Sequence, residues 1–146
     1  YKKPTICDKS NLLAISEVLK KVELFCGDFE QTVNHATPDT LFYFDPPYKP
    51  LSKTSSFNSY SKDEFDDNEQ IRLKIFCNKL DSLGYNWILS NSDVKSKNPM
   101  DNFFDDLYFN FSIQRVQAKR NINVNPKKRG FLKELLITNQ PRQKQT

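Results

Sequence analysis

Residues 41–48 read Leu41-Phe42-Tyr43-Phe44-Asp45-Pro46-Pro47-Tyr48, an apolar run followed by an acid, two prolines and a tyrosine. Its first four residues form a short, β-favouring apolar run, which is typical of a buried strand. The two prolines end that strand, because proline lacks the N–H that a β-ladder requires. A carboxylate, a rigid turn and an aromatic ring therefore meet at the carboxyl end of a strand, where open α/β sheets bind ligands. Taken alone, the motif also suits a strand-ending turn with an incidental Asp.

Apolar periodicity predicts the elements on either side of this stretch. The first helix has Ser10 as its expected N-cap, and the longest helix has Asp67 with Gln70 as a capping pair and Gly84 just past its end. The predicted helices cover about residues 10–22, 31–34, 66–84 and 98–106, and the predicted strands cover residues 22–26, 41–44, 86–90, 107–113 and 131–138.

The alternation of strands and helices indicates an α/β fold with a mostly parallel sheet. No helix is expected between the last two strands, so these two strands should form an antiparallel pair at the C-terminal edge. We expect one domain over residues 1–140 and a disordered tail over residues 141–146.

Composition excludes several kinds of site. The chain has 3 glycines, which argues against a glycine-rich phosphate cradle, and a single histidine, His35, which excludes a two-histidine metal site. The cysteines Cys7, Cys26 and Cys77 form no C-x-x-C pair, so we expect buried free thiols and no metal. No apolar run approaches the roughly 18 residues that span a bilayer, and no charged-then-apolar leader is present. We therefore expect no membrane association and a cytoplasmic location.

Charge is unevenly distributed along the chain. The net charge is +4, yet residues 115–146 contain nine Lys and Arg and one acid, Glu134. A basic segment on a mildly acidic body is typical of a surface that faces a polyanion. A solvated basic tail that aids solubility is the alternative.

Polar residues follow three successive predicted strands, at Asp28, at 45–48 and at 91–93, so they should line one crevice. Without a histidine pair or a metal, this set suits group transfer to a weakly nucleophilic amine. A carboxylate and a backbone carbonyl that each accept one N–H would make an exocyclic base amine more nucleophilic, and an aromatic ring would stack on the base. Asp45, the Pro46 carbonyl and Tyr48 offer these three parts, and the donor would be a methyl sulfonium.

The motif and its surroundings closely resemble the catalytic region of Dam-type (DpnM-like) adenine-N6 DNA methyltransferases. The matching segments lie in the same order over about residues 5–139: 44–48, Leu51-Ser52, 57–60, Glu69-Gln70, 88–93, Arg120-Asn121-Ile122-Asn123 and 134–139. The resemblance implies a partial Rossmann-like methyltransferase sheet, S-adenosylmethionine as the methyl donor, and duplex DNA with a flipped adenine as the acceptor, as in restriction–modification systems.

Residue roles follow from the resemblance. Asp45, Pro46, Pro47 and Tyr48 match the target-adenine site, and Asp28 with Phe29 resembles the pair that contacts the adenine moiety of the cofactor. The residues that the resemblance and the basic charge assign to DNA binding are Phe57, Tyr60, Arg115, Lys119, Arg120, Asn121, Lys127, Lys128 and Arg129. Phosphate contacts from such residues give affinity, not sequence choice.

The chain also departs from the family's pattern. Neither the glycine-rich F-x-G-x-G cofactor loop nor a target-recognition domain is present, so the chain resembles only the carboxyl-terminal half of such an enzyme. We expect the isolated fragment to bind the cofactor poorly and to be inactive without the N-terminal half. Two alternatives stay open: a non-catalytic DNA-binding subunit that needs a second chain, and an RNA methyltransferase.

Overall fold

The computed structural model describes residues 7–51, 65–119 and 131–140. These residues fall into two compact units that divide between Thr32 and Val33. Among the described residues, the first unit contains one α-helix and the first residues of a 3₁₀ helix, and the second contains the sheet and two further α-helices.

The helix of the first unit is α1 (Lys9–Leu19). Its N-cap is Asp8 and not Ser10, because the Asp8 carboxylate accepts the backbone N–H of Asn11 at 3.1 Å, while the Ser10 hydroxyl donates to the same carboxylate. A carboxylate is the better acceptor at this position, since it also favours the positive end of the helix dipole.

The strand predicted over residues 22–26 is wrong, since these residues form no regular structure. A strand persists only where its N–H and C=O groups pair with another strand. Residues 22–26 belong to the unit that contains no part of the sheet. The helical turn expected at residues 31–34 is confirmed as a 3₁₀ helix, Phe29–His35.

The sheet of the second unit has four strands in the order β1-β2-β4-β3. Their bounds are β1 (Leu41–Phe44), β2 (Asn86–Ser92), β3 (Ser112–Lys119) and β4 (Phe131–Thr138). β1 pairs with β2 in parallel, whereas β4 is antiparallel to both β2 and β3. The α/β class and the antiparallel pair at the C-terminal edge are thus confirmed. β4 lies between β2 and β3, so the parallel share of the sheet is smaller than expected.

The core forms where one face of the sheet meets α2 (Asp67–Ser82). In β1, Phe42 and Phe44 are buried while Leu41 and Tyr43 are exposed, as the two-residue period of a strand requires. Phe76 of α2 packs edge-on against both buried rings, with centroid separations of 6.4 and 6.0 Å. This packing fixes β1, and therefore the end of β1, against the helix.

α2 confirms the longest predicted helix and is bounded by two local signals. Asp66, and not the expected pair Asp67 and Gln70, caps its start by accepting the Glu69 N–H at 3.0 Å. Gly84 follows its end with a φ of 81°, a left-handed conformation that glycine adopts without strain.

Between β2 and β3 the structure differs from the prediction. The helix expected over residues 98–106 is shorter, α3 (Phe103–Leu107), because residues 98–101 form a turn in which the Asp101 N–H donates to the Asn98 carbonyl. The strand expected at residues 107–113 begins later, at Ser112. Tyr108 and Phe111 pack around the buried Trp87 instead, with ring centroids 6.2 and 4.7 Å away.

Cysteine burial was predicted correctly at one position of three. Cys77 is buried in α2, and burial raises the pKa of its thiol to about 12, whereas Cys7 and Cys26 are exposed. Within the described residues, no group of three metal-binding side chains occurs. In the same part of the chain, no helix is both long enough and apolar enough to cross a bilayer.

Replacing Phe76 by Ala should lower the free energy of unfolding by about 3–5 kcal/mol, because a ring that is 2% exposed leaves a cavity between α2 and β1. Urea denaturation measures the change. Ile75→Ala is the matched control, since Ile75 lies on the same helix with 61% exposure and should change stability little. Equal losses in the two variants would contradict the assigned core.

Candidate active site

Asp45 stands just past the end of β1 with an exposed side chain. The hydroxyl of Ser90, in the neighbouring strand β2, donates to Asp45 Oδ1 over 3.0 Å. The same hydroxyl lies 3.4 Å from the Phe44 carbonyl, and because it carries one hydrogen, the shorter contact with the carboxylate is favoured. Ser90 is 6% exposed, so the hydrogen bond that orients the exposed Asp45 carboxylate comes from a buried side chain. Ser90 lies in the matching segment 88–93 but had no predicted role, although it directly precedes the polar residues 91–93 and lies on the strand parallel to β1.

Tyr48 closes the motif and is half-buried. Burial raises the pKa of its phenol, and the carboxylates of Glu134 and Asp45 add to this effect, while a hydrogen bond with Ser90 opposes it. The phenol therefore stays protonated at neutral pH.

The two prolines present their carbonyls differently. The Pro47 carbonyl accepts a hydrogen bond from Gln70 Nε2 at 3.2 Å. Across the described ranges, no donor forms a hydrogen bond with the Pro46 carbonyl. Because no described donor occupies it, this carbonyl is available to accept a hydrogen bond from a ligand.

The chain beyond Tyr48 is held by β2 through two side chains. Asn91 Oδ1 accepts the Lys49 N–H at 3.0 Å, and the Ser92 hydroxyl donates to the Lys49 carbonyl at 2.5 Å. Asn91 Nδ2 in turn donates to Gln70 Oε1 at 3.2 Å. Gln70, Asn91 and Ser92 are 1%, 0% and 4% exposed, so these bonds are shielded from water.

The Lys49 side chain adds a further contact to this segment. Its ammonium pairs with Asp67 at the start of α2 and lies 4.2 Å from the centre of the Phe103 ring in α3. The ion pair and the cation–π contact together connect the motif to two helices.

Arg115 of β3 lies in a cluster of charges and not in open solvent. Its Nε donates to the buried Asp93 over 3.2 Å, and its guanidinium contacts Asp105 at 2.7 Å, which Lys95 also approaches at 3.1 Å. Burial tends to raise the pKa of Asp105, but hydrogen bonds from Arg115 and Lys95 outweigh it and hold this pKa below its ordinary value. The hydrogen bond with Asp105 raises the pKa of Arg115. The DNA contact assigned to Arg115 stays a prediction, and its observed contacts connect β3 to the end of β2 and to α3.

Of the remaining predicted site residues, the structure describes three. Asp28 and Phe29 lie in the first unit, where Asp28 Oδ1 accepts the Glu30 N–H at 2.9 Å as the 3₁₀ helix begins. Lys119 is the last residue of β3. The other DNA-binding candidates lie outside the described residues: Phe57, Tyr60, Arg120, Asn121, Lys127, Lys128 and Arg129.

A base-amine site requires a carboxylate, an open carbonyl and an aromatic ring, and this site offers all three. Comparison with known proteins shows the family of the chain. A family model described as D12 class N6 adenine-specific DNA methyltransferase matches residues 1–122. This chain belongs to that family.

Similar proteins support the family assignment. The chain is 47% identical over 140 residues to the type II methyltransferase M.MjaIII of Methanocaldococcus jannaschii, a match that covers 95% of the chain and 46% of the relative. It is 38% identical over 141 residues to the type II methyltransferase M1.LlaDCHI of Lactococcus lactis, which covers 95% and 47% of the two proteins. A DNA adenine methylase of Haemophilus influenzae is 32% identical over 112 residues, or 76% of the chain and 37% of that protein. The chain thus spans about half the length, or less, of these relatives.

Asp105→Asn should lower the free energy of unfolding by about 1 kcal/mol at pH 7, because it breaks the ion pairs with Arg115 and Lys95. A carboxyl with a lowered folded-state pKa stabilises the protein above its unfolded-state pKa, here 3.8, and loses that effect as the pH falls through the folded-state value. The deficit of the variant should therefore shrink as the pH falls below about 3.8. Urea denaturation as a function of pH measures it.

Asp106→Asn is the control, since Asp106 lies next to Asp105 on α3, is exposed, and forms no ion pair within the described residues. A deficit for Asp105→Asn that is independent of pH would show that packing, and not charge, accounts for the stabilising effect of Asp105.

Proposed function

We propose that this chain carries the target-adenine site of an enzyme that transfers a methyl group from S-adenosylmethionine to the N6 amine of adenine in DNA. One observation carries the proposal: Asp45 is oriented by Ser90 at 3.0 Å, and it is next in sequence to the Pro46 carbonyl, which no described donor occupies. Two acceptors are thus presented at the end of one parallel strand, as binding of an amine with two N–H groups requires.

These two acceptors address the central difficulty of the reaction. The N6 lone pair of adenine is delocalised into the ring, so the amine is planar and weakly nucleophilic. Asp45 accepts one N–H and the Pro46 carbonyl accepts the other, which favours a tetrahedral nitrogen whose lone pair is free to react. Because Ser90 fixes the carboxylate in advance, little reorganisation is needed when the amine arrives.

The methyl donor supplies an electrophilic carbon on a sulfonium: the N6 lone pair forms the N–C bond, the C–S bond breaks with its electrons left on sulfur, and one N6 proton passes to solvent. The residues of this chain fit part of that donor. Asp28, whose carboxylate Oδ1 accepts the Glu30 N–H, and the next residue, Phe29, would hold a hydroxyl-bearing adenosine group. The three glycines are widely separated in the sequence and form no glycine-rich pattern of the kind that would cradle the methionine part.

The acceptor base must leave the duplex to reach Asp45, since the N6 amine of a paired adenine is engaged in the helix. Tyr48 suits a flipped base, because its phenol is neutral at pH 7 and its ring is half-buried beside the two acceptors. Stacking on this ring would orient the base, while the basic residues at the end of β3 and beyond would bind phosphates.

The family and the names of the relatives favour DNA of a restriction–modification system as the substrate. We further propose that this chain has little activity alone and needs the portion of such an enzyme that supplies a glycine-rich loop and a target-recognition domain.

Asp45→Ala should reduce methyl transfer at least ~10³-fold in the chain completed with that portion, fused or co-expressed, because one of the two acceptors is lost. Transfer of a radiolabelled methyl group from S-adenosylmethionine to an adenine-containing duplex measures the rate. Asp39→Asn is the matched control, since Asp39 is an exposed acid in the turn before β1 and should leave the rate unchanged.

Full activity of Asp45→Ala would overturn the assignment. If the completed wild-type protein binds duplex DNA but transfers no methyl group to any adenine, the chain is a DNA-binding subunit instead. Faster transfer to structured RNA than to duplex DNA would assign the same site to the RNA methyltransferase alternative.

A further inference from the structure

We propose that Gln70 is a positioning residue for methyl transfer, and that a buried chain of amide hydrogen bonds from Gln70 through Asn91 holds the motif on both sides of Tyr48. The proposal rests on the proposed function for its catalytic consequence, whereas the hydrogen bonds that carry it belong to the structure itself. Gln70 lies in the first turns of α2, 1% exposed, and touches neither Asp45 nor Tyr48 through any described hydrogen bond.

The amide chain has one possible direction. A proline carbonyl can only accept, so Pro47 requires that Gln70 turn its Nε2 towards it. Gln70 Oε1 then faces Asn91 and requires the Nδ2 of Asn91 in turn. Asn91 Oδ1 consequently faces the Lys49 N–H, which it accepts at 3.0 Å. Flipping either amide would place two donors or two acceptors against each other in a buried site, which costs about 1–3 kcal/mol per unpaired group.

The chain of amide hydrogen bonds replaces the β-ladder that the prolines interrupt. A polar backbone group that is buried must find a partner, and the motif finds its partners in side chains of α2 and β2. Pro47 is fixed on one side of Tyr48 and Lys49 on the other. The aromatic ring therefore projects from a backbone that is held at both neighbouring residues.

The same bond restrains the Pro46 carbonyl. The ring of Pro47 locks its φ angle and the peptide bonds are planar, so a single soft torsion, ψ of Pro47, separates the carbonyls of Pro46 and Pro47. Fixing the second carbonyl with Gln70 thus limits the directions in which the first can point. A displacement of about 1 Å at a reacting group can lower a rate on the order of 100-fold.

Gln70→Glu gives the sharpest test, because it keeps the side-chain shape and the acceptor for Asn91 but removes the donor to Pro47. In the completed enzyme we expect kcat to fall ~10- to 100-fold at pH 8, with the KM for DNA unchanged. A buried carboxyl facing a carbonyl has a raised pKa, and once protonated it can donate to Pro47 again. The rate of Q70E relative to wild type should therefore recover as the pH is lowered towards 6.

The matched control is Asn78→Asp, a similar amide-to-acid change two turns further along α2 and away from the motif. It should change neither kcat nor its pH dependence. A loss of kcat in Q70E that does not recover at lower pH, or an equal loss in N78D, would reduce Gln70 to a structural residue of the helix and overturn the proposal.

A second measurement needs only this chain and keeps the test independent of the proposed function. In Gln70→Met the Asn91 Nδ2 loses its acceptor, and Asn91 is then held by the Lys49 and Ser92 N–H groups that its Oδ1 accepts, without support from α2. Hydrogen exchange of the Lys49 N–H, followed by NMR, should therefore accelerate at least ~10-fold beyond any change in global unfolding. Unchanged exchange would overturn the amide chain itself. If Asp45→Ala were fully active, the proposed function would fail, while the exchange rate of Lys49 would still decide whether the amide chain exists.

Discussion

The absence of N–H groups at Pro46 and Pro47 is the constraint on which the rest of the site depends. A strand that meets two prolines cannot continue its ladder, so β1 ends after Phe44 and leaves the following carbonyls without strand partners. Side chains from outside the strand take the place of the ladder: Gln70 from α2, and Asn91 and Ser92 from β2. The Pro46 carbonyl receives none of these bonds and stays open to a ligand among the described residues.

The position of the site at the end of a parallel pair follows from the same constraint. β1 and β2 are the one parallel pair of the described sheet, and their carboxyl ends lie side by side. Ser90 can therefore reach Asp45 across the pair without any loop movement. The hydrophobic packing of Phe42 and Phe44 against Phe76 keeps β1 in register. The same packing therefore stabilises the core and fixes the strand end that carries Asp45.

The sequence predicted the elements with strong local signals and missed those set by tertiary contacts. β1, α2, β2 and β4 were placed within about two residues, because their apolar runs and end signals agree with burial. The strand expected at residues 22–26 has an apolar run but no partner in the sheet, and β3 begins later than expected because Tyr108 and Phe111 pack around Trp87. Asp45 to Tyr48 were found as a motif. Ser90 and Gln70 lie in matching segments, but their contacts with the site were not predicted, since a buried polar residue carries no periodic signal and its role is recognised only when its partner is known.

The place of β4 in the sheet also has a consequence for how the site comes into existence. β4 inserts between β2 and β3, so that Ser92, which contacts Lys49 just beyond the motif, pairs with Glu134, far along the chain. Such non-local pairing is slow, because a long loop must close before the contact forms. During synthesis the motif leaves the ribosome well before β4 does, and β2 has an unpaired edge throughout that interval. The parallel pair that carries the two acceptors can therefore form before β4 is available, whereas the β2 edge that includes Ser92 is completed late in folding.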